Sequence, residues 1–368
     1  MDRRNKTEMH LTLRKDEVLA RILSDMRLGI PVVIKDNDNA CVALPVENGS
    51  LPRMKEFLAE GTTVIALTRR RADTLKARVY DDDLARIIIP DDASLDWVRT
   101  IADPSRDLQV PWKGPLETER GGEAHLHRMA IELARKARLL PAVLVRMLQG
   151  EEVKKTRLSC LEVGDFDQKQ KPDVSLELVS KSTLPISEKV PSMIYLFREK
   201  LGGDEHCAIV FGSPPRNKPV LTRLHSGCFT GDVLGSLKCD CQPQLHLALK
   251  RMINNEEGIL LYINQEGRGI GLINKIRAYS LQDQGFDTVE ANHRLGFEDD
   301  ERDFRLGSEV LKLLGYRNAR LMTNNPAKIT ILESQGINVH ERIPILTAVN
   351  KYNAEYMAVK ARKSGHRL

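Results

Sequence analysis

Apolar positions recur at helical and strand spacing along the first half of the chain, with charged turns between them. Residues 15–28 carry apolar side chains at the spacing of an amphipathic helix, and the following Gly29 and Pro31 are typical of a helix end. Further apolar runs predict buried strands at residues 32–34, 62–68 and 85–89, and helices at residues 125–136 and 142–148. This alternation predicts an α/β or α+β fold.

The second half of the chain alternates in a similar way. Its apolar runs predict strands at residues 207–211, 220–224, 258–263, 319–322 and 337–342, and helices at residues 244–254, 272–282 and 326–335. The first two of these strands are separated by a turn-rich segment, which predicts a β-hairpin. Residues 174–181 are a candidate edge strand. The last strand–helix–strand unit is of βαβ type, with Pro326 in the first helical position and Gly336 at the helix end.

The length of 368 residues predicts two domains that each bury a core. The predicted division is an N-terminal domain over residues 1–150, a charged linker over 151–178 and a C-terminal domain over 179–368. A hydrophobic content of 41% and a charged content of 29% are typical of globular proteins. The sequence has neither an apolar stretch long enough for a membrane span nor a signal-peptide core, so we expect a cytoplasmic protein.

Three of the six cysteines, Cys228, Cys239 and Cys241, form a C-x10-C-x-C pattern. In the reducing cytoplasm, clustered cysteines are more typical of metal binding or catalysis than of disulfides. A catalytic zinc site has three protein ligands and an open fourth position, which fits three thiolates without an obvious fourth partner. Buried inert thiols are the alternative, but the surrounding glycine, aspartate and lysine residues favour the metal site.

Two strand-to-helix corners are candidate anion sites. The glycine-rich turn at residues 265–271 offers amide donors and a helix dipole to a phosphate, although its spacing matches neither the Rossmann nor the Walker motif. Thr323 and Lys328 lie at the second corner, where α/β proteins often bind ligands. A simple helix cap with a solvated lysine is the alternative there. The net charge of +5 is compatible with a polyanionic small substrate or with nucleic acid.

Residues from about 205 to 342 resemble GTP cyclohydrolase II, the zinc enzyme that commits GTP to riboflavin biosynthesis. The resemblance rests on residues 223–226 with Cys228, and on residues 230–232, 236–241, 265–272, 274–279, 281–288, 295–297, 300–304 and 323–326. It implies that GTP is converted to 2,5-diamino-6-ribosylamino-4(3H)-pyrimidinone 5′-phosphate, formate and pyrophosphate.

The resemblance also implies the catalytic centre. Zinc on Cys228, Cys239 and Cys241 would activate water for attack at C8 of GTP and for removal of the formyl group. Three thiolates give a zinc site a formal charge of −1, so the metal should be a weaker acid than one held by three histidines. Proton transfer by protein groups is therefore expected. The family pattern places Tyr279 near the metal and gives Asp300 a general-base role.

The remaining implied residues contact the substrate. The family uses Arg302 at the α-phosphate as a proposed nucleophile, and an electrostatic clamp is the alternative, because arginine stays protonated in proteins. Contacts to phosphate and guanine carry over to Arg223, Leu224, His225, Ser226, Gln244, Glu266, Gly267, Arg268, Thr288, Thr323 and Lys328. Mg²⁺ is expected on the pyrophosphate oxygens, and the protein is expected to be a homodimer. Gly227 and Asn264 depart from the family pattern beside these positions.

The N-terminal half resembles 3,4-dihydroxy-2-butanone 4-phosphate synthase in its layout of a helix, the strand at 32–34, an acidic turn and the helix at 125–136. That family needs an acidic run directly after the strand, and here its carboxylates correspond to Ala40, Val42 and Leu44. Apolar side chains can neither bind magnesium nor transfer protons. We therefore interpret residues 1–150 as a degenerate, non-catalytic copy of that fold.

Two alternatives stay open for the function. A diverged cyclohydrolase paralogue would open a different purine or pyrimidine ring, and a product assay on GTP separates this case from the first. A zinc-stabilised nucleic-acid-binding or regulatory protein would also be basic. However, the chain has no clustered Lys/Arg stripe with interleaved aromatic residues, which make up only 5% of the sequence. We expect neither a nucleic-acid partner nor a membrane partner.

Overall fold

Two β-sheets, one in each half of the chain, organise the fold in the computed structural model, which describes residues 13–37, 39–111, 113–150, 152–165, 174–200, 203–348 and 350–354. The mixed α/β character predicted from the alternation is confirmed. Among the described residues, no helix has the length and apolar character that crossing a membrane requires.

The first sheet has the strand order β4-β3-β5-β2-β1-β6 and is antiparallel except for the parallel pair β1–β6. Its strands are β1 (Val32–Asp36), β2 (Asn39–Pro45), β3 (Val64–Thr68), β4 (Leu84–Ile88), β5 (Ala142–Leu148) and β6 (Cys160–Glu162). The helices of this half are α1 (Lys15–Arg27), α2 (Leu51–Ala59), α3 (Arg69–Thr74), α4 (Leu95–Ala102), α5 (His125–Lys136) and α6 (Glu152–Lys155).

Helices cover both faces of this sheet. Helices α1 and α5 pack on one face, and α2, α3 and α4 pack on the other, so that each face has its own apolar core. All five residues of β3 are buried, because side chains on both faces of the strand lie under helices. A strand covered on both faces is expected to be a continuous apolar run rather than an alternating one.

The helix predicted over residues 142–148 is wrong, since these residues form the central strand β5. Strand β5 pairs with β2 on one side and with β3 on the other. The segment is a short apolar run that contains the β-branched residues Val143 and Val145, with Pro141 directly before it. Such a run has no periodicity that separates a buried strand from a buried helix, and both faces of β5 are covered by helices.

The second sheet has the strand order β13-β12-β10-β11-β9-β8-β7. Its strands are β7 (Leu176–Thr183), β8 (Ser192–Glu199), β9 (Glu205–Phe211), β10 (Val220–Ser226), β11 (Gly258–Ile263), β12 (Asn318–Met322) and β13 (Asn338–Ile343). The helices of this half are α7 (Cys241–Asn254), α8 (Gly271–Asp283), α9 (Thr288–Leu295), α10 (Arg305–Leu313) and α11 (Pro326–Ser334). The predicted edge strand and the predicted final βαβ unit are confirmed, with β12 and β13 parallel.

The predicted hairpin between the strands now called β9 and β10 is wrong. Strand β9 is antiparallel to β11, and β10 lies on the other side of β11, parallel to both β11 and β12. The turn-rich segment between β9 and β10 therefore carries the chain past β11 instead of reversing it between neighbours. Strand β10 is buried over nearly its whole length, and its position between two parallel strands explains that burial.

Residues 160–162, inside the predicted linker, form β6 and pair with β1, and the second sheet begins at Leu176. Residues 166–173 of that linker lie outside the described residues. The domain boundaries stay a prediction. Between the two halves, a further apolar cluster joins Leu140 to Ile270 and to residues of α8 and α9.

Candidate active site

The candidate site lies at the edge of the second sheet where the parallel strands β10, β11 and β12 end. The cysteine loop follows β10, the glycine-rich turn follows β11, and the Thr323–Lys328 corner follows β12. Because parallel strands end at one edge, these three segments meet there and line a single pocket that is open to solvent. Helices α8 and α9 provide the opposite wall.

The three cysteines meet in this pocket. The sulfur atoms of Cys228, Cys239 and Cys241 all lie within 4.8 Å of one another, and the Sγ atoms of Cys228 and Cys239 are 3.8 Å apart. Two sulfurs that are each about 2.3 Å from a tetrahedral zinc ion are about 3.8 Å apart, so the spacing fits zinc. Within the part of the chain that the structure describes, this is the one grouping of three such ligand residues.

Because Gly231 has no side chain, the sulfur atoms of the cysteine cluster can lie close to its backbone. Its amide donates to the Sγ of Cys228 at 3.3 Å. A Cβ at this position would lie 2.6 Å from the Sγ of Cys239, 2.9 Å from the Sγ of Cys228 and 2.9 Å from the Cβ of Cys241. Any larger residue at position 231 would therefore displace at least one of the three cysteines.

Lys275, on α8, places a positive charge against the cysteine cluster. Its ammonium lies 3.0 Å from the Sγ of Cys228, 2.7 Å from the Oγ1 of Thr230 and 2.8 Å from the Oε1 of Glu266. Burial disfavours the charged ammonium, but the hydrogen bonds to Glu266 and Cys228 outweigh it and raise the pKa of Lys275. Hydrogen bonds from Cys239 and Cys241, together with Lys275, lower the pKa of the Cys228 thiol despite its burial. The cluster therefore favours a thiolate at Cys228.

Tyr279 lies one helical turn from Lys275 on the same face of α8. Its hydroxyl is 3.4 Å from the Oγ1 of Thr230, and the ammonium groups of Lys238 and Lys275 lie 5.1 Å and 5.7 Å from the centre of its ring. Burial raises the pKa of Tyr279 to about 12. The phenol is therefore protonated at neutral pH and can donate a hydrogen bond beside the cysteine cluster.

Three cations line the pocket on the side of β10 and β12. The guanidinium of Arg223, which is buried, donates to the carbonyl of Met322 at 3.0 Å and to Gln244 at 2.6 Å. The buried ammonium of Lys328 donates to the carbonyl of Leu224 at 2.8 Å. Arg302 donates to the hydroxyl of Ser226 at 3.3 Å, directly beside the cysteine loop. These three positive charges favour a polyanionic group in this part of the pocket.

Asp300 is bound to Arg302 instead of facing the pocket. Its carboxylate accepts from the Nε and Nη2 of Arg302 at 2.8 Å and 2.6 Å, and Asp300 is not among the residues that line the pocket. Burial by itself would raise the pKa of Asp300, but the ion pair with Arg302 outweighs burial and lowers it. The carboxylate is ionised, and it would have to leave Arg302 to accept a proton from a substrate.

Most of the predicted site residues line the pocket. These are Arg223, His225, Ser226, Cys228, Cys239, Cys241, Gln244, Glu266, Gly267, Arg268, Tyr279, Thr288, Arg302, Thr323 and Lys328. Besides Asp300, Leu224 does not, because its side chain belongs to the core beneath the sheet. Glu266 uses its carboxylate within the protein, accepting from the amide of Phe229 at 2.5 Å and from Lys275 at 2.8 Å.

The pocket also contains residues that the sequence analysis did not assign to the site: Lys238, Asp240, Gln265, Ile270, Lys275, Ala278, Gln282, Asn292, Asn324 and Asn325. Helical spacing could have identified two of them, because Lys275 and Gln282 lie four and three residues from Tyr279 and so share its face of α8. Gln265 and Ile270 belong to the glycine-rich turn predicted as an anion site, and Asn324 and Asn325 belong to the Thr323–Lys328 corner. The others line the pocket because separate segments meet at the sheet edge.

Gly227, one of the departures from the family pattern, makes room for Tyr262. A Cβ at position 227 would lie 3.0 Å from the Tyr262 ring. The hydroxyl of Tyr262 donates to the buried carboxylate of Asp232 at 3.0 Å, which also accepts from the amide of Cys228 at 2.9 Å. His225 pairs with the same carboxylate at 3.1 Å. Asp232 thus connects β10 and β11 to the first cysteine.

The N-terminal half has no matching set of acidic groups at the positions that the resemblance indicates. Ala40, Val42 and Leu44 lie on β2 with buried side chains that contribute to the apolar core. Nearby, His125 pairs with Asp36 at 2.9 Å in a shallow, open cleft.

Comparison with known proteins gives consistent matches. A family model described as GTP cyclohydrolase II matches residues 177–344. A GTP cyclohydrolase-2 from Azospirillum brasilense is 38% identical over 356 residues, which cover 94% of this chain and 92% of that protein. A riboflavin biosynthesis protein RibBA from Synechocystis is 36% identical, with coverage of 94% of this chain and 70% of that protein.

A shorter relative matches the C-terminal half alone. A GTP cyclohydrolase-2 from Yersinia pseudotuberculosis is 55% identical over 172 residues, which cover 47% of this chain and 88% of that protein. Among solved structures, a two-domain 3,4-dihydroxy-2-butanone 4-phosphate synthase from A. baumannii covers 90% of this chain and 99% of that chain. Its identity to this chain is 16%, with a TM-score of 0.28.

Proposed function

The chain belongs to the GTP cyclohydrolase II family, whose members hydrolyse GTP in riboflavin biosynthesis. We propose that this protein hydrolyses GTP with a zinc ion held by Cys228, Cys239 and Cys241. The proposed products are 2,5-diamino-6-ribosylamino-4(3H)-pyrimidinone 5′-phosphate, formate and pyrophosphate. The observation that carries the proposal is that the three sulfurs lie within 4.8 Å of one another, a spacing that fits zinc, in the same pocket as Arg223, Arg302 and Lys328.

Zinc in this site would supply Lewis acidity for the hydrolytic opening of the imidazole ring of GTP. The three thiolates that hold it carry excess negative charge. Lys275 offsets part of that charge through its contact with the Sγ of Cys228 at 3.0 Å. Tyr279 is the proton donor on the same wall, since its phenol is protonated at neutral pH and lies beside Thr230 in the cysteine loop.

Arg223, Arg302 and Lys328 are proposed to bind the triphosphate, because buried or half-buried cations are the groups that recognise phosphate. Mg²⁺ would be held mainly by phosphate oxygens and waters, as is usual for nucleoside triphosphates. The pairing of Arg302 with Asp300 favours the electrostatic clamp over the nucleophile, since a guanidinium bound to a carboxylate stays protonated. Asp300 can serve as a general base only after substrate binding releases it from Arg302.

The test is to incubate the zinc-loaded protein with GTP and Mg²⁺ and to quantify formate, pyrophosphate and the diaminopyrimidine. Appearance of all three in equal amounts is the expected result. Pyrophosphate without formate would show that ring opening is lost. Absence of every product with zinc bound would favour the diverged paralogue and a different purine or pyrimidine substrate.

We also propose that the N-terminal half is not catalytic, because the positions of the required carboxylates are occupied by buried apolar side chains. Turnover of ribulose 5-phosphate by the purified protein would contradict this proposal. The homodimer, the cytoplasmic location and the absence of a nucleic-acid partner stay predictions.

A further inference from the structure

One wall of the pocket is packed against the N-terminal half. We call residues 271–302 the pocket wall; it comprises α8, α9 and the loop that leads to Arg302. Lys275, Tyr279 and Gln282 project from α8 into the pocket. The opposite side of the same segment contacts the N-terminal half, so the wall lies between the substrate pocket and the other domain.

The outer face of α8 is hydrogen-bonded to the N-terminal half. Asn274 is fully buried, and its side-chain amide donates to the carbonyl of Arg138 at 3.0 Å. One turn further on, Arg277 donates to the carboxylate of Glu47 at 2.8 Å. Asn274 and Arg277 lie on a different face of α8 from Lys275 and Tyr279. One face of the helix therefore contacts the N-terminal half, and another lines the pocket.

Helix α9 and its C-terminus are held by similar contacts. The hydroxyl of Thr68 donates to the carbonyl of Gly296 at 3.1 Å. A Cβ at position 296 would lie 2.7 Å from Pro141 and 2.8 Å from the Thr68 hydroxyl, so only glycine permits this approach. Arg294 of α9 lies 3.5 Å from the carboxylate of Asp107.

The contact nearest to the proposed chemistry involves Glu301, which lies between Asp300 and Arg302. Arg135 of α5 donates to the Oε1 of Glu301, which also accepts the amide of Glu298 at 3.0 Å. The amide of Glu301 donates to the carbonyl of Arg268 in the glycine-rich turn at 2.9 Å. Glu301 is therefore fixed from both domains.

We propose that Arg135 is a positioning residue for the cyclohydrolase site: through Glu301 it holds Asp300 and Arg302 in place, which gives the N-terminal half a structural part in the reaction. This inference rests on the proposed function of the C-terminal site. The side chains of Arg135 and Glu301 are 24% and 23% exposed, so solvent screens their ion pair less than it screens a surface pair. Small displacements of groups that hold a reacting phosphate reduce turnover strongly.

The experiment uses the full-length, zinc-loaded protein with Arg135→Gln and Arg135→Lys. Removal of the charge in Arg135→Gln is expected to lower kcat for formate release about tenfold while KM for GTP changes less than about threefold. Arg135→Lys keeps the charge and is expected to recover most of the activity. Zinc content should equal that of the wild type in both variants, since Arg135 does not contact the cysteine loop.

Arg138→Gln is the matched control. Arg138 is three residues further along the chain, and its side chain pairs with Asp204. Its contact with Asn274 of the pocket wall uses the backbone carbonyl, which the substitution keeps, so Arg138→Gln removes an interdomain ion pair without touching Glu301. The control should keep the kcat of the wild type. An equal loss of kcat in Arg138→Gln, or an unchanged kcat in Arg135→Gln, would overturn the inference.

A second readout does not depend on turnover. In the absence of GTP, amide hydrogen exchange of residues 298–304 should be at least about fivefold faster in Arg135→Gln than in the wild type and unchanged in Arg138→Gln. If the wild type does not hydrolyse GTP, the proposed function fails and this measurement alone decides the inference. Unchanged exchange in Arg135→Gln would refute the positioning role even if the protein is an active cyclohydrolase.

Discussion

Replacement of Gly231 by alanine should weaken zinc binding through a steric effect on the cysteines. Gly231 is not among the glycines with positive φ, so alanine causes no backbone strain there. Its new Cβ would lie 2.6 Å from the Sγ of Cys239 and 2.9 Å from the Sγ of Cys228, both shorter than real contacts of a Cβ. At least one sulfur must therefore move away by several tenths of an ångström.

The expected size of the effect follows from the tolerance of the metal site. Zinc–sulfur distances in proteins vary by only about 0.2 Å around about 2.3 Å, which is less than the displacement that the new methyl group demands. Changes in the immediate surroundings of metal ligands typically reduce metal affinity about 10- to 100-fold. This range corresponds to about 1.4–2.7 kcal/mol of zinc-binding free energy.

The assay is a competition between the protein and a chromogenic zinc chelator, carried out for the wild type, Gly231→Ala and Gly121→Ala. Gly121 is the matched control, because it has no positive φ and no heavy atom within 4 Å of an added Cβ. Its variant should bind zinc like the wild type. Wild-type zinc affinity in Gly231→Ala would refute the assignment of the three cysteines as a metal site with this geometry.

Three further changes test other parts of the site and the fold. Cys239→Ser should abolish both zinc binding and formate release, and retained zinc in metal analysis would contradict the ligand set. Tyr279→Phe should keep zinc but slow formate release at least about 100-fold, because the proton donor is lost; normal release would remove Tyr279 from the mechanism. Asp107→Asn should lower the unfolding free energy at pH 7 by about 3–5 kcal/mol, since it leaves the buried Arg71 without its carboxylate partner. Burial would raise the pKa of Asp107, but Arg71 and Lys113 outweigh it and lower that pKa, so its contribution is complete above about pH 4 and is lost as the pH falls further. The difference in melting temperature between the wild type and Asp107→Asn should therefore narrow as the pH falls from 7 to 3, and equal melting temperatures at pH 7 would contradict the prediction.

The fold was predictable where one segment carries its own signal. The predicted helix at 125–136 and the predicted strand at 258–263 have the same bounds as α5 and β11. Both follow from local patterns, a helical periodicity and a continuous apolar run before a glycine-rich turn. The two wrong predictions are the helix over residues 142–148 and the hairpin of β9 with β10. The first segment is strand β5, whose burial on both faces removes any periodicity. Strand β10 pairs with strands that come about 40 and 100 residues later in the chain. Pairing at that distance leaves no trace in local turn chemistry.

The site was predictable where residue types cluster along the chain. The cysteines and the residues that follow β10 and β12 could be proposed because metal ligands and strand-to-helix corners have recognisable chemistry. The contact partner of Lys275 could not be predicted in this way. Its contact with Cys228 joins residues 47 positions apart, and only the meeting of α8 with the cysteine loop creates it.

Helix α8 shows why hydrophobic periodicity is a weak guide at the contact between the two halves of the chain. Its apolar residues Leu272, Ile273 and Ile276 are exposed, whereas the polar Asn274 is completely buried beside the apolar residues Ala278 and Leu281. Apolar side chains therefore lie on both the exposed and the buried side of the helix, and their pattern alone does not identify the buried face. Asn274 can be buried among them because its side-chain amide donates to the backbone carbonyl of Arg138, which satisfies the buried amide. A helix with a pocket on one side and the N-terminal half on the other carries polar residues toward both, so its sequence reflects its partners as well as its own amphipathicity.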